Sequence, residues 1–257
     1  MIFPNHLYKF SPLRDDFFKN RLIRLTPKTQ LNDPYELHPS QQDISEIRNL
    51  IPEFPANFSN ITDSMLANNH FNTMGVMSFT ESIDNLLMWA HYANEHRGIV
   101  IEFDPSHEFF KELKPVIYLE KRFTGSSLNI HNESAFLRED IFLEKSKHWE
   151  YEKEWRIVES LIKSDCLIKF IEEDGETRKV EEWYPNRVDL FPWEPSGLYM
   201  MQVPSEAILS FTFGCRVQES EIKKTLDLLE TLPEFSHTIK YKTRQENDNY
   251  GLTYEKL

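Results

Sequence analysis

Short apolar runs separated by polar, proline-containing stretches recur along the chain, and the period of the apolar positions decides which element each run predicts. Residues 7–10 read as a short strand, followed by a helix entered at Ser11-Pro12, with serine as cap and proline at the first helical position. Residues 22–26 alternate as a second strand, and 27–36 form a loop ending around Asn32-Asp33-Pro34. The pattern is helical from 43 to 69, interrupted by Pro52 and Pro55. Residues 76–79 are a buried strand. A helix covers 86–93 because Leu86, Trp89, Ala90 and Ala93 share one face, and Gly98 turns the chain into a strand over 99–103. A second helix is predicted over 133–147, then a strand over 155–161 and a hairpin of 166–171 with 178–183 around Asp174-Gly175. Strands at 198–203, 207–213, 238–242 and 250–254, with a helix over 219–229, complete the pattern. Helices and strands mix without regular β-α-β alternation, repeat or linker. The expectation is a single α+β domain over 1–257, with mixed, mainly antiparallel strands and interspersed helices.

Composition narrows the function. The 257 residues are 40% hydrophobic, with 19 Phe, 10 Tyr and 5 Trp, enough for a sizeable core. The 7 glycines lie no closer together than Gly197 and Gly214. Any motif needing two glycines within a few residues is therefore absent, which excludes the dinucleotide fingerprint, the P-loop, the kinase glycine loop and the G-x-S-x-G elbow. A net charge of −13 disfavours a nucleic-acid partner held by phosphate neutralisation. Cys166 and Cys215 form no C-x-x-C, so a cysteine-based zinc site is not expected. The N-terminus has no signal-peptide pattern and no stretch reaches the ~18 apolar residues of a span, so a cytoplasmic protein without a membrane partner is expected.

Candidate chemistry sits where polar residues interrupt apolar runs. His91 and His96, five apart on a helix, would lie ~140° apart around its axis and cannot share an ion. His91 and Glu95 supply only half a metal site. Glu112-x-Lys114 and Glu221-x-Lys223 have nuclease spacing but fall on predicted helices. In 149–156 (WEYEKEWR), Glu150, Glu152 and Glu154 alternate ahead of a strand; extended, they would project the same way, with Arg156 able to pair with Glu154. The segment also reads as a surface salt-bridge ladder. Lys9 places a cation, and Ser78 a hydroxyl, inside short apolar strands.

These residues carry a resemblance. Leu7-Tyr-Lys-Phe10, Leu31-Asn-Asp-Pro-Tyr-Glu36, Ser78-Phe-Thr-Glu81, Leu87-Met-Trp-Ala-His-Tyr-Ala93, Arg97-Gly-Ile-Val-Ile-Glu-Phe103, Lys147, Trp149, Tyr151-Glu-Lys-Glu-Trp-Arg156 and Phe213-Gly-Cys215 resemble the bacterial family known as domain of unknown function 2971, over almost the whole chain. A more remote resemblance, in the order Lys9, Ser78, Glu152-Lys-Glu154, is to ADP-ribosyltransferases, with Lys9 where histidine or arginine is usual. It implies NAD as substrate and an ADP-ribosyltransferase-like fold. Glu154 would stabilise the cationic ribose, Ser78 would orient Glu154, and Lys9 would meet a phosphate. Tyr8, Asn32, Asp33, Trp89, His91, Tyr92 and Arg156 would line the nucleotide site, with Trp89 or Tyr92 stacking on a ring. Such a protein would modify an unidentified macromolecule, as a toxin or phage-defence effector. The alternative is a non-catalytic binding or regulatory module whose polar and aromatic segments form a recognition pocket.

Overall fold

β1 (Leu7–Ser11) is covered on both faces, and its neighbours decide where a cleft can open. The computed structural model describes residues 3–37, 40, 73–122, 139–174, 176–183 and 196–257. After β1 come α1 (Asp15–Asn20), β2 (Leu22–Pro27), β3 (Met74–Thr80), α2 (Leu86–Tyr92), β4 (Ile99–Phe103), β5 (Lys114–Pro115), β6 (Ile117–Leu119) and β7 (Glu144–Ser146). β8 (Glu154–Ser160), β9 (Cys166–Glu173), β10 (Glu176–Trp183), β11 (Leu198–Gln202), β12 (Ile208–Phe213), α3 (Glu219–Glu230), β13 (Ile239–Gln245) and β14 (Leu252–Lys256) follow. Among the described residues twelve strands join in one sheet, in the order β10-β9-β11-β2-β3-β1-β4-β12-β13-β14, with β8 on β3 and β5 on β8. The pairings are antiparallel except β12 with β13 and, in a separate small sheet, β6 with β7. The architecture is mixed α+β and mainly antiparallel. Among the described residues no helix is long and apolar enough to cross a membrane.

The core is strongly aromatic. Phe17 and Phe18 of α1 meet Phe211 of β12 edge-on, and Phe211 meets Phe235, with ring centroids 5.2–6.4 Å apart. A smaller cluster seats α2 on β1, where Trp89 packs edge-on against Phe10 at 5.2 Å beside Tyr8, Met88 and Val100.

β3 creates the cleft. One edge pairs with β8 along its whole length, from Met74↔Ser160 to Thr80↔Glu154. The other edge is shared: β2 takes Gly75 and Val76, and β1 takes only Thr80. β1 and β2 therefore diverge around Ser78. Lys9 Nζ crosses the gap to donate to the Ser78 carbonyl at 2.7 Å.

Most predicted strands are present, and the departures have physical reasons. Ser11 remains in β1 and the first helix starts at Asp15 with Arg14 extended before it, because the β1 ladder to β4 runs through Ser11↔Ile99. Where helix was expected up to Lys147, residues 139–143 form a 3-10 turn and 144–146 form β7, whose pairing with β6 overrides local helical preference; 133–138 lie outside the described residues, as does the broken helix of 43–69. The acid-rich segment is also not extended. Lys147–Glu152 is a 3-10 turn ending at Lys153, with φ 44°, so only Glu154 begins a strand.

A tight loop closes the far end of α2. Asn94, Glu95 and His96 all have positive φ, and Gly98 and Gly214 pack against this region through Gly214 N–H to Gly98 O at 2.9 Å. A Cβ on Gly98 would collide with the Ser11 and Ala93 carbonyls, and one on Gly214 with the His96 carbonyl. Backbone cannot move aside as a side-chain tip can. Gly98→Ala and Gly214→Ala are each expected to cost ~1–3 kcal/mol, read as a lower urea midpoint at unchanged slope. An unchanged midpoint would contradict the close approach.

Candidate functional site

One wall of the β1/β2 gap is built from buried charge. Arg156, on β8, is 1% exposed. Its Nε donates to Glu154 Oε1 at 2.7 Å and Nη2 to Glu154 Oε2 at 2.9 Å, forming a bidentate fork. Nη2 also donates to Glu36, and Nη1 to the Phe142 carbonyl at 2.7 Å. Lys145, on β7, donates to Glu152 Oε2 at 2.5 Å and Glu154 Oε2 at 2.9 Å, and stands 3.9 Å from Glu36. Three glutamates thus enclose two cations, all largely shielded from water.

Local turns deliver these groups. The left-handed Lys153 lets Glu152, at the end of its turn, and Glu154, at the start of its strand, both reach Lys145. Glu154 N–H donates to the Tyr118 hydroxyl at 2.7 Å, fixing the strand start. Asp33 accepts the Tyr35 N–H on Oδ1 at 2.9 Å, and its carbonyl accepts from Glu36, a turn that carries Glu36 to Arg156. Asn85 caps α2 and donates to the Tyr151 carbonyl at 2.8 Å. The helix so anchored presents Tyr92, whose hydroxyl donates to Glu152 Oε1 at 2.6 Å.

The charge states follow from this packing. Burial pushes the Glu154 carboxyl up, but Arg156, Lys145 and a hydrogen bond from Ser78 outweigh it and hold the group at about 2. Glu36 ends above the ordinary carboxylate value, because desolvation exceeds the pull of Arg156 and Lys145. Lys145 is desolvated too, yet Glu154, Glu36 and Glu152 leave its pKa raised.

The opposite wall holds two further cations. Lys9 alternates with Tyr8 and Phe10, so it shares a side with Leu7 and lies 5.4 Å from the Phe79 ring centre. Desolvation, opposed by Glu154 and reinforced by Arg24, brings its pKa down to about 8. Arg24, on β2, donates to Gln30 through Nη2, while its Nε is buried without a partner among the described residues. Between the walls lies an open-mouthed pocket of about 220 Å³.

This pocket gathers Tyr8, Lys9, Asn32, Ser78, Tyr92, Glu154 and Arg156 from the residues singled out in the sequence. Tyr8, Thr80 and Glu154 stand in register across β1, β3 and β8, which puts Lys9 and Glu154 roughly 10 Å apart at the backbone. Other expectations need correction. Trp89 is fully buried, donates to the Ile83 carbonyl, and cannot stack on a ligand. His91 is exposed on α2 and does not line the pocket, and Asp33 faces a neighbouring pocket beside Tyr35 and Arg122. Arg156 has each guanidinium nitrogen occupied by protein acceptors, so it supports the wall instead of gripping a cofactor. The Glu154–Arg156 pair exists, but buried, not on a surface ladder. Among the described residues no group of three or more His, Cys, Asp or Glu is disposed to hold a metal ion.

Arg24, Glu36 and Lys145 are pocket residues that the sequence-based site left out. Arg24 carried the same signal as Lys9, a cation inside an apolar strand. Glu36 was visible only as the end of a turn motif, and Lys145 fell in a predicted helix.

Residues 88–157 match the model of the family described as protein of unknown function (DUF2971). That span carries α2 from Met88 on, Lys145, Glu152, Glu154 and Arg156, and supports the DUF2971 resemblance; Lys9, Arg24, Glu36 and Ser78 lie outside it. No curated protein and no solved structure matches the chain.

Removing the central cation should be costly. Arg156→Met would strand Glu154 and Glu36 in the interior, an expected loss of ~3–5 kcal/mol at neutral pH by urea unfolding. In the intact protein the depressed Glu154 contributes stability that is complete above its unfolded value near 4.5 and lost as pH falls through about 2. The raised Glu36 acts with the opposite sign, its share growing on acidification. Without Arg156 both acids protonate more readily, so the deficit of Arg156→Met should shrink between pH 7 and pH 4. A deficit under ~1 kcal/mol at neutral pH, as for an exposed pair, would contradict the buried network.

Proposed function

We propose that this pocket binds NAD and that the protein is an ADP-ribosyltransferase-like enzyme. The observation carrying this reading is that Lys9, Ser78 and Glu154, from three adjacent strands, line one pocket in which Glu154 is held ionised. Breaking the bond between nicotinamide and ribose sends the electron pair out with neutral nicotinamide and leaves positive charge on the sugar carbon. A fixed carboxylate beside that carbon lowers the barrier without reorganising at the moment of reaction. The Ser78 hydroxyl keeps Glu154 oriented, and Tyr92 offers a half-buried ring edge to the base or sugar. An acceptor nucleophile then bonds to the sugar carbon and gives its proton to solvent. The cavity is smaller than the ~300 Å³ from which pockets enclose a drug-sized ligand, so it suits the nicotinamide-ribose end, with the remainder of NAD lying in the mouth.

A second reading is favoured by a different observation. The Glu154 oxygens are taken by Arg156 and Lys145, and the Glu152 oxygens by Tyr92 and Lys145. Carboxylates so saturated suit a non-catalytic recognition pocket whose charges shape the wall. NAD turnover separates the two. Wild-type protein with acceptor fractions from a cell lysate is expected to release nicotinamide. Glu154→Gln, assayed well below its own thermal midpoint and normalised to folded protein, should lose about a hundredfold in rate. Ser78→Ala should lose less. Absence of nicotinamide release from wild-type protein with every fraction would leave the recognition pocket as the reading.

A further inference from the structure

Arg24 and Arg156 lie on the same sheet and differ in what satisfies them. Arg156 is encircled by acceptors. Arg24 has the Gln30 side chain on Nη2, a buried Nε with no partner, and among the described residues no ion pair with a carboxylate. Desolvation lowers its pKa. Lys9 is also outside every ion pair among the described residues, its ammonium resting on the Ser78 carbonyl, and the two cations are close enough to repel. The nearby anion, Glu154, is already engaged by Arg156 and Lys145; keeping two desolvated like charges together costs stability, and a guanidinium donor left unpaired adds to that cost.

We propose that Arg24 and Lys9 form an anion subsite for a phosphoryl group of the ligand, with Thr26 and Gln30 at its border. The inference deepens the nucleotide reading of the pocket and rests on it for the ligand's identity. Arginine supplies a planar edge matched to phosphate oxygens, and lysine a compact second charge. A doubly charged phosphoryl or diphosphate group suits the pair better than a single carboxylate, since one negative charge would leave a buried cation uncompensated. The subsite also supplies the guanidinium that the lysine at position 9 lacks, from the neighbouring strand.

The probes are inorganic pyrophosphate, ADP and, as a neutral control, adenosine, followed by calorimetry and by the shift in thermal midpoint. Wild-type protein is expected to bind pyrophosphate and ADP more tightly than adenosine. Arg24→Met should weaken pyrophosphate at least ~10-fold, the scale of losing a charge-assisted hydrogen bond. Its unliganded midpoint should change little, because the lost Gln30 hydrogen bond is offset by removal of a desolvated charge. Arg24→Lys, which keeps the charge but not the planar edge, should bind with intermediate affinity and serves if the methionine variant does not fold. Pyrophosphate affinity equal in wild type and both variants, or no binding to wild type, would overturn the subsite. The two proposals fail separately. Pyrophosphate binding through Arg24 without nicotinamide release keeps the subsite and removes the transferase. NAD cleavage with KM unchanged in Arg24→Met keeps the transferase and removes the subsite.

Discussion

A guanidinium buried to 1% exposure is tolerable only if its charge and its donors are met, and the surroundings of Arg156 are arranged to do so. Glu154 comes from the same strand, Glu36 from a turn 120 residues earlier, and the Phe142 carbonyl from the turn before β7. Lys145 then offsets the surplus of carboxylate. The cluster joins segments that also meet in a small apolar cluster around Leu37, Val76 and Phe142, and with it fixes the loop containing Asn32, the small β6–β7 sheet and the β8 start. Its stabilising worth is modest next to an apolar replacement of the same shape; its consequence is that any one partner is costly to remove alone.

That rigid wall makes the other side of the pocket informative. β1 and β2 part on one edge of β3, and Lys9 and Arg24 occupy the opening without carboxylate partners of their own among the described residues. A protein interior seldom leaves charges in that condition unless a ligand completes them. The contrast between two cations enclosed by carboxylates and two without an ion pair among the described residues is what the proposed anion subsite rests on.

Polar residues inside short apolar runs were the most readable signal. Lys9 and Ser78 stand out because a short apolar strand has no cheap place for them, and Glu154 because three acids alternate ahead of a strand; all three line the pocket. Arg24, between Ile23 and Leu25, obeys the same rule as Lys9. Glu36 and Lys145 were not legible because their partners are distant in sequence. Trp89 misled for the opposite reason: an aromatic beside histidine and tyrosine suggests stacking, but on this helix it faces Phe10 in the core. The strands were largely recoverable from alternation. The 3-10 turns were not, because their course depends on Lys153 and on contacts between β6 and β7.

Lys145 is held within the carboxylate cluster, whereas Lys9 has no ion pair among the described residues and faces the proposed ligand site. Titration of the lysine side-chain carbons by NMR, assigned with Lys9→Met and Lys145→Met, reads both in one experiment. The expected result is a resonance titrating near 8 that disappears in Lys9→Met, and a Lys145 resonance still charged when the surface lysines have lost their protons. Lys9 titrating with the surface lysines near 10.5, or Lys145 losing its proton before them, would contradict it.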